Sequence, residues 1–205
     1  LETFADVYEV FSMPYLFDSR ESYLEAMQDA DYMEQIYEST DEAGFRVLTW
    51  YNAGTRNFYA KKPIRTPEDL KGLKMRVQDM KSQTDMMKAL GGTPVAMAMG
   101  DVYTALQTGI IDGSENNETV LTTGMHGEIC KYFSVDQHTM IPDVLVIATD
   151  TWNSLSEEDR QILLDAARNS TDNHILEWEA AVNDALETAK TEMGVTIVED
   201  VDKEA

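Results

Sequence analysis

An α/β fold is what this 205-residue sequence predicts, and three observations predict it. Short β-branched or aromatic runs alternate with short helical patterns. The clearest helix start, "TPEDLKG", lies between two of those runs, and a long helical pattern with little interruption precedes the last few residues. Helices alternating with strands pack on the faces of a sheet, and parallel neighbours are expected in it.

The apolar and aromatic opening, "FADVYEVFSMPYLFDS", reads as an extended segment or packed loop around Pro14. A helix is expected from Asp18 or Ser19 toward Gly44, with Glu21 as the capping-box partner of Asp18. Phe45 to Tyr51, "FRVLTWY", reads as a buried strand. In "TPEDLKG", Thr66 is the N-cap, Pro67 the first helical residue, Glu68 and Asp69 the acidic first turn, and Gly72 the stop, so one or two helical turns are predicted. Leu73 to Val77 is a strand, "SQTDMMKALGG" a helix ending at Gly91 and Gly92, "TPVAMAM" extended, and Asp101 to Thr108 a helix closed by Gly109. Ile110 and Ile111 then read as a short strand whose carboxyl end delivers "DGSENN". Ligands of α/β sheets gather at such ends.

Val144 to Thr149 is a further strand. From Ser156, capped with Asp159, a helical pattern runs to Gly194. It is about 55 Å long if straight, against ~43 Å across a compact globule of this length. Its apolar positions flank a polar gap, "RNSTDN", which fits a bend or a crossing between two separately packed bodies. The chain starts without the glycine-containing strand-to-helix turn of a complete α/β domain and stops one strand after the long helix, so a segment of a longer protein is expected.

Composition narrows the function. With 16 basic residues against 38 acidic ones and a net charge of -22, nucleic acid is excluded as a partner, because phosphate binding relies on clustered cations. No window approaches the ~18 consecutive apolar residues of a membrane span. The lone Cys130 rules out an internal disulfide and a multi-cysteine metal site and is expected to be a small buried hydrophobe. His126, His138 and His174 show no ligand spacing, and "DGSENNE" lacks the EF-hand pattern, so no metal or cofactor is expected. Nucleophile-elbow, phosphate-loop, dinucleotide and zinc-protease motifs are all absent. The paired carboxylates Asp112 and Glu115 keep one enzymatic alternative open, a carbohydrate-active hydrolase.

The arginines are more informative. Arg56 follows the strand ending at Tyr51, and Arg76 lies between Met75 and Val77, so it projects from the face opposite that pair. A cation at a strand end among apolar residues needs an anion, because an unpaired buried charge costs several kcal/mol. The partner is either an internal carboxylate or a ligand carboxylate held by two parallel hydrogen bonds.

In unbroken order over most of the chain, "GTRNFY", "KPIRTPEDLKGLKMRV", "ALGGTPVAMAMGDVYTALQTGIIDGSENN" and "ICKYFSVDQHTMIPDVLVIATDTWNSLSEEDRQ" resemble the DctP-type solute-binding component of tripartite ATP-independent periplasmic (TRAP) transporters. The resemblance implies a two-lobed periplasmic binding protein-like α/β fold, type II-like, with a long helix shared by the lobes. It is incomplete here, lacking an N-terminal part with first-lobe ligand contacts and a short C-terminal closing segment. Residues 1–53 fall in lobe 1, 54–141 in lobe 2, 142–181 in lobe 1 with the start of the shared helix, and 182–205 return to lobe 2. Hinges are expected near Tyr51 to Gly54 and Met140 to Val144.

The same resemblance implies a periplasmic location, no catalysis, and two partners: a small carboxylate ligand and the sodium-driven TRAP membrane permease that receives it. A monomer is expected. The family's carboxylate clamp falls on Arg76, and a second ligand-side arginine on Arg56, 20 residues earlier. Asn116 closes the site, Met99 takes a pocket position often aromatic in relatives, and Asp79 a polar position three residues past the clamp. Asp112, Glu115 and Asn117 are expected to hold the loop or the hinge. "DGSENN" resembles the branch in which sugar acids such as hexuronates are common.

Overall fold

The computed structural model describes residues 2–205. In chain order its elements are α1 (Arg20–Gln28), α2 (Ala30–Glu38), β1 (Phe45–Tyr51), β2 (Arg56–Ala60), β3 (Lys74–Val77), α3 (Lys81–Ala89), β4 (Thr93–Ala96), α4 (Val102–Thr108), β5 (Gly113–Asn116), α5 (Val120–Thr123), β6 (Tyr132–Thr139), β7 (Asp143–Ala148), α6 (Thr149–Ser154), α7 (Glu157–Thr191) and β8 (Thr196–Val198). Two compact units result: Leu1–Ala53 with Met140–Ala180, and Gly54–Thr139 with Ala181–Ala205.

In the first unit, the single helix expected from Asp18 or Ser19 toward Gly44 is two. Asp29 divides them: its backbone leaves the helical region (φ -70°, ψ 97°) while its carboxylate accepts from Tyr32 N–H at 3.0 Å, so one residue ends α1 and caps α2. The cap of α1 is Ser19, and its partner is Ser22 rather than Glu21; each Ser Oγ accepts from the other's backbone N–H, at 3.1 and 3.2 Å. The opening stretch is turn and loop only around Pro14; before it, Asp6–Ser12 winds into a 3-10 helix that buries Tyr8 and Phe11. Both join Tyr23, Met27, Met33, Ile36 and Trp50 in the core, where each large apolar side chain contributes about 1.5–3 kcal/mol.

The two-stranded antiparallel sheet of this unit pairs β1 with β7. Helix α7 is continuous through "RNSTDN", and the polar gap marks its hydrogen-bonding face. Thr171 Oγ1 donates to Trp50 C=O at 2.9 Å, Tyr51 Oη and Ser170 Oγ lie 2.8 Å apart, and His174 Nε2 meets Asn52 C=O at 2.8 Å. Side chains that would weaken an apolar stripe instead satisfy groups along and just beyond β1.

The second unit holds a six-stranded sheet in the order β4-β3-β5-β2-β6-β8. It is mixed rather than parallel: β2 runs antiparallel to both β5 and β6, while β3 pairs in parallel with β4 and β5, and β6 with β8. The strand expected at Ile110 and Ile111 lies two residues later. Gly109 closes α4 in the left-handed conformation (φ 75°), and the N–H groups of Ile110 and Ile111 both return to Ala105 C=O, so these residues end the helix. Pairing begins at Gly113, where a Cβ would lie 2.4 Å from Tyr59 O.

The expected helix after Thr66 is the 3-10 turn Pro67–Leu70, with Asp69 accepting from Thr66 N–H at 3.2 Å. Met75 and Val77 pack with Phe58, Leu70 and Met87 on one face of the sheet. Cys130 is buried with Tyr59, Leu106 and Phe133 in the unit's other cluster, and burial pushes its thiol up to about 12. Among the described residues no helix is long and apolar enough to cross a membrane.

Candidate functional site

Strands β3, β4, β5 and β6 all point their carboxyl ends toward one edge of the mixed sheet, and antiparallel β2 begins there. That edge gathers Arg76 near the end of β3, Met97 and Met99 after β4, Asn116 ending β5, His138 near the end of β6, and Arg56 opening β2. Residues at or just beyond the ends of five strands gather where the sheet's own ladder bonds end, the usual place for a ligand in an α/β sheet.

Arg56 is occupied. Its Nε donates to Glu115 Oε2 at 2.5 Å, and its Nη2 to Glu115 Oε1 at 2.9 Å and to the Glu115 carbonyl at 3.1 Å. This is a two-pronged guanidinium–carboxylate pair, the strongest geometry for that couple. Glu115 has no solvent exposure. Burial alone would raise its pKa, but Arg56 and His138 outweigh burial and hold it at about 2.

A distortion of β6 brings His138 to the same carboxylate. Arg56 lies opposite Thr139 and Phe58 opposite Ser134, so the residues between form a bulge around Asn57, with Gln137 in the left-handed region at φ 53°. Two side chains staple it: Asn57 Oδ1 accepts from Gln137 N–H, and Asp136 Oδ1 from Phe58 N–H, both at 2.9 Å. His138 stacks on Phe58 with ring centroids 4.5 Å apart. Its Nδ1 lies 2.6 Å from Asp136 Oδ2 and its Nε2 3.5 Å from Glu115 Oε2, the second an electrostatic contact rather than a hydrogen bond. Asp136, His138 and Asn57 escaped the sequence reading. The available signal was two ionisable residues at i and i+2 in a strand pattern, a spacing that places both on one face.

Arg76 is different. It is only 4% exposed and projects opposite Met75 and Val77, as alternation requires. Its Nε donates to Met97 C=O at 2.9 Å. Among the described residues it forms no ion pair. Burial draws its pKa down, Glu115 and Tyr59 act against that, and Arg56 adds to the lowering. Arginine remains a cation at neutral pH all the same.

The remaining predicted positions divide. Asn116 and Met99 come together, with Asn116 Nδ2 3.8 Å from Met99 Sδ, while Asn116 Oδ1 accepts from Asn117 N–H at 2.9 Å. Met99 is 42% exposed. Asp79 lies exposed in the bend after β3, and among the described residues no ion pair ties it to either arginine. Asp112 and Glu115 do not form an acid/base pair: Asp112 precedes the opposite end of β5 and accepts from Lys74 N–H at 2.8 Å, while Glu115 is committed to Arg56. Among the described residues no group of His, Cys, Asp and Glu is arranged to hold a metal.

The chain matches, over residues 1–205, the family model of the bacterial extracellular solute-binding proteins, family 7. It is 40% identical to the uncharacterized protein YiiZ of Salmonella typhimurium over 204 residues, 99% of this chain and 62% of that protein. Thus the chain spans less than two thirds of that relative's length. A TRAP periplasmic solute binding protein from Anaerococcus prevotii, solved with bound α/β D-glucuronate, is 47% identical with a TM-score of 0.96, covering 100% of this chain and 66% of that one. Another from Xanthobacter autotrophicus, with bound β-D-galacturonate, is 34% identical with a TM-score of 0.94, covering 100% and 67%. From the full-length family match, the chain belongs to the DctP family of bacterial extracellular solute-binding proteins.

Proposed function

We propose that this chain is part of a periplasmic solute-binding protein that captures a small organic acid, a hexuronate in particular, and delivers it to a TRAP membrane permease for sodium-driven uptake. The observation that carries this is Arg76, a guanidinium almost out of water with a carbonyl on Nε and, among the described residues, no carboxylate in an ion pair with it. An uncompensated buried cation is costly, and a ligand carboxylate removes that cost when it binds. In this reading Arg76 takes the carboxylate as a fork, Arg56 contributes a fixed neighbour, and Asn116 supplies amide donor and acceptor. Met99 lines the pocket and Asp79 plays a peripheral polar part. The units Gly54–Thr139 with Ala181–Ala205 and Leu1–Ala53 with Met140–Ala180 correspond to lobe 2 and part of lobe 1.

The two similar structures with bound glucuronate and galacturonate support the ligand class, since both sugars carry a single carboxylate. The protein acts as a monomer and without catalysis. Isothermal titration with D-glucuronate, D-galacturonate and succinate tests the reading. The hexuronates are expected to bind, and Arg76→Ala to weaken them by about 100-fold, within the range for stripping one partner from a buried charge pair. A hexuronate that binds Arg76→Ala as tightly as the parent removes the clamp, and product formation on incubation removes the binding-protein reading.

A further inference from the structure

The site in the second unit contains a charge balance that goes past the clamp. Arg56 pairs with both oxygens of the Glu115 carboxylate, His138 Nε2 lies against the Oε2 of the same group, and Asp136 holds the other nitrogen of His138. Glu115 and His138 are 0% exposed and Asp136 4%, so water screens none of these contacts well. Both imidazole nitrogens face carboxylate oxygens, an arrangement that suits an imidazolium; a neutral ring would set a lone pair against one carboxylate. Two cations then balance two carboxylates within the cluster. Arg76 stands outside that balance.

We propose that His138, held as an imidazolium between Asp136 and Glu115, is a positioning residue for the ligand site: it keeps the Arg56–Glu115–His138–Asp136 cluster neutral, so that Arg76 is left as the buried cation of this site with no ion pair among the described residues, and the site is matched to a monoanion. The proposal rests on the carboxylate-binding reading above. Without the His138 proton the cluster carries one negative charge near Arg76 and competes with the ligand for it. The groups facing His138 are Asp136 from its own strand, Glu115 from β5, and from β2 the Phe58 ring and, through Glu115, Arg56. Nearby, Lys203 donates to Gln137 Oε1 at 2.7 Å. Burial opposes the imidazolium, but Asp136 and Glu115 more than offset it and raise the His138 pKa to about 9.

Two measurements on the full chain test this. The first needs no ligand: nitrogen-15 NMR of the His138 ring should show both nitrogens protonated at neutral pH and a titration near pH 9. A neutral ring at pH 7 overturns the proposal, whatever the site binds. The second is D-glucuronate affinity against pH. It should be level around neutrality and fall about tenfold or more as pH rises through 9. His138→Gln should already be weaker at neutral pH by about tenfold or more, the loss the parent shows on deprotonation, because the same uncompensated negative charge then faces Arg76, and should lack the alkaline fall.

An affinity that stays level through alkaline pH, or a His138→Gln variant that keeps both the affinity and the fall, overturns the proposal. Should that variant not fold, the parent's pH profile decides. D-glucarate, which adds a second carboxylate to the same skeleton, should bind at least about tenfold more weakly; equal affinity overturns the monoanion match. Failure of D-glucuronate to bind at any pH counts against the hexuronate reading instead, and the NMR result then judges His138 alone.

Discussion

The start of β2 and the end of β3 each carry an arginine with little solvent exposure, on one sheet and 20 residues apart in sequence, yet they do opposite things. Arg56 meets Glu115 along both prongs of its guanidinium; Arg76 meets one backbone carbonyl. The difference comes from the neighbouring strands. β5 brings Glu115 beside β2 and sets Ser114 opposite Arg76 on the β3 side. A buried charge therefore belongs to the fold or to the ligand according to what the adjacent strand supplies at that register, and residue type alone does not decide which.

Substitutions that remove one side of the contrast have the largest expected effects. Glu115→Gln leaves Arg56 and His138 without their shared carboxylate and should destabilise the protein by about 3–5 kcal/mol, measured by urea unfolding. A loss below about 1 kcal/mol would mean that Arg56 finds another partner and the two arginines are less different than they look. Asn57→Ala removes the amide that receives Gln137 N–H and donates to Thr55 C=O, and should cost about 1–3 kcal/mol.

Changing pH probes the same cluster without mutation. Glu115 has its pKa lowered from 4.5 to about 2, so its contribution is complete above 4.5 and is lost as pH falls through 2. His138 has its pKa raised from 6.5 to about 9, so its contribution is complete below 6.5 and is lost as pH rises through 9. Melting temperature followed across that range should fall at both ends, and a plateau through pH 9 would count against a buried imidazolium. The smallest effect on stability belongs to Arg76→Met, which should stay within about 1 kcal/mol of the parent or exceed it, because no ion pair among the described residues is broken. On the proposed carboxylate-binding reading the same variant should also lose hexuronate binding, so stability and binding would separate at Arg76 and travel together at Glu115.

Much of this arrangement could be read from the sequence where local rules act alone. The capped turn after Thr66, the alternation that turns Arg76 away from Met75 and Val77, and the glycine that ends α4 all depend on residues within a few positions of one another. What escaped depends on distant partners. Glu115 looked like scaffold or half of an acid pair because nothing local reveals that β2 will align Arg56 with it. The bulge that carries His138 to Glu115 arises from Asn57, about eighty residues upstream of Gln137, and no periodicity within β6 encodes it. The long helix shows the same limit: "RNSTDN" looks like a break until β1 provides a carbonyl and two hydroxyls for it.

Cys130 has a practical consequence. It is the chain's single cysteine, it has no exposed surface, and its thiol is pushed up to about 12. The thiolate is the nucleophile in alkylation, so the folded chain should present almost no background reactivity to maleimides at neutral pH. A cysteine introduced at exposed Met99, beside Asn116, would then accept one environment-sensitive dye at one defined place. Within these 205 residues no cysteine has to be removed before such labelling, and a dye at Met99→Cys would report on the proposed organic-acid site.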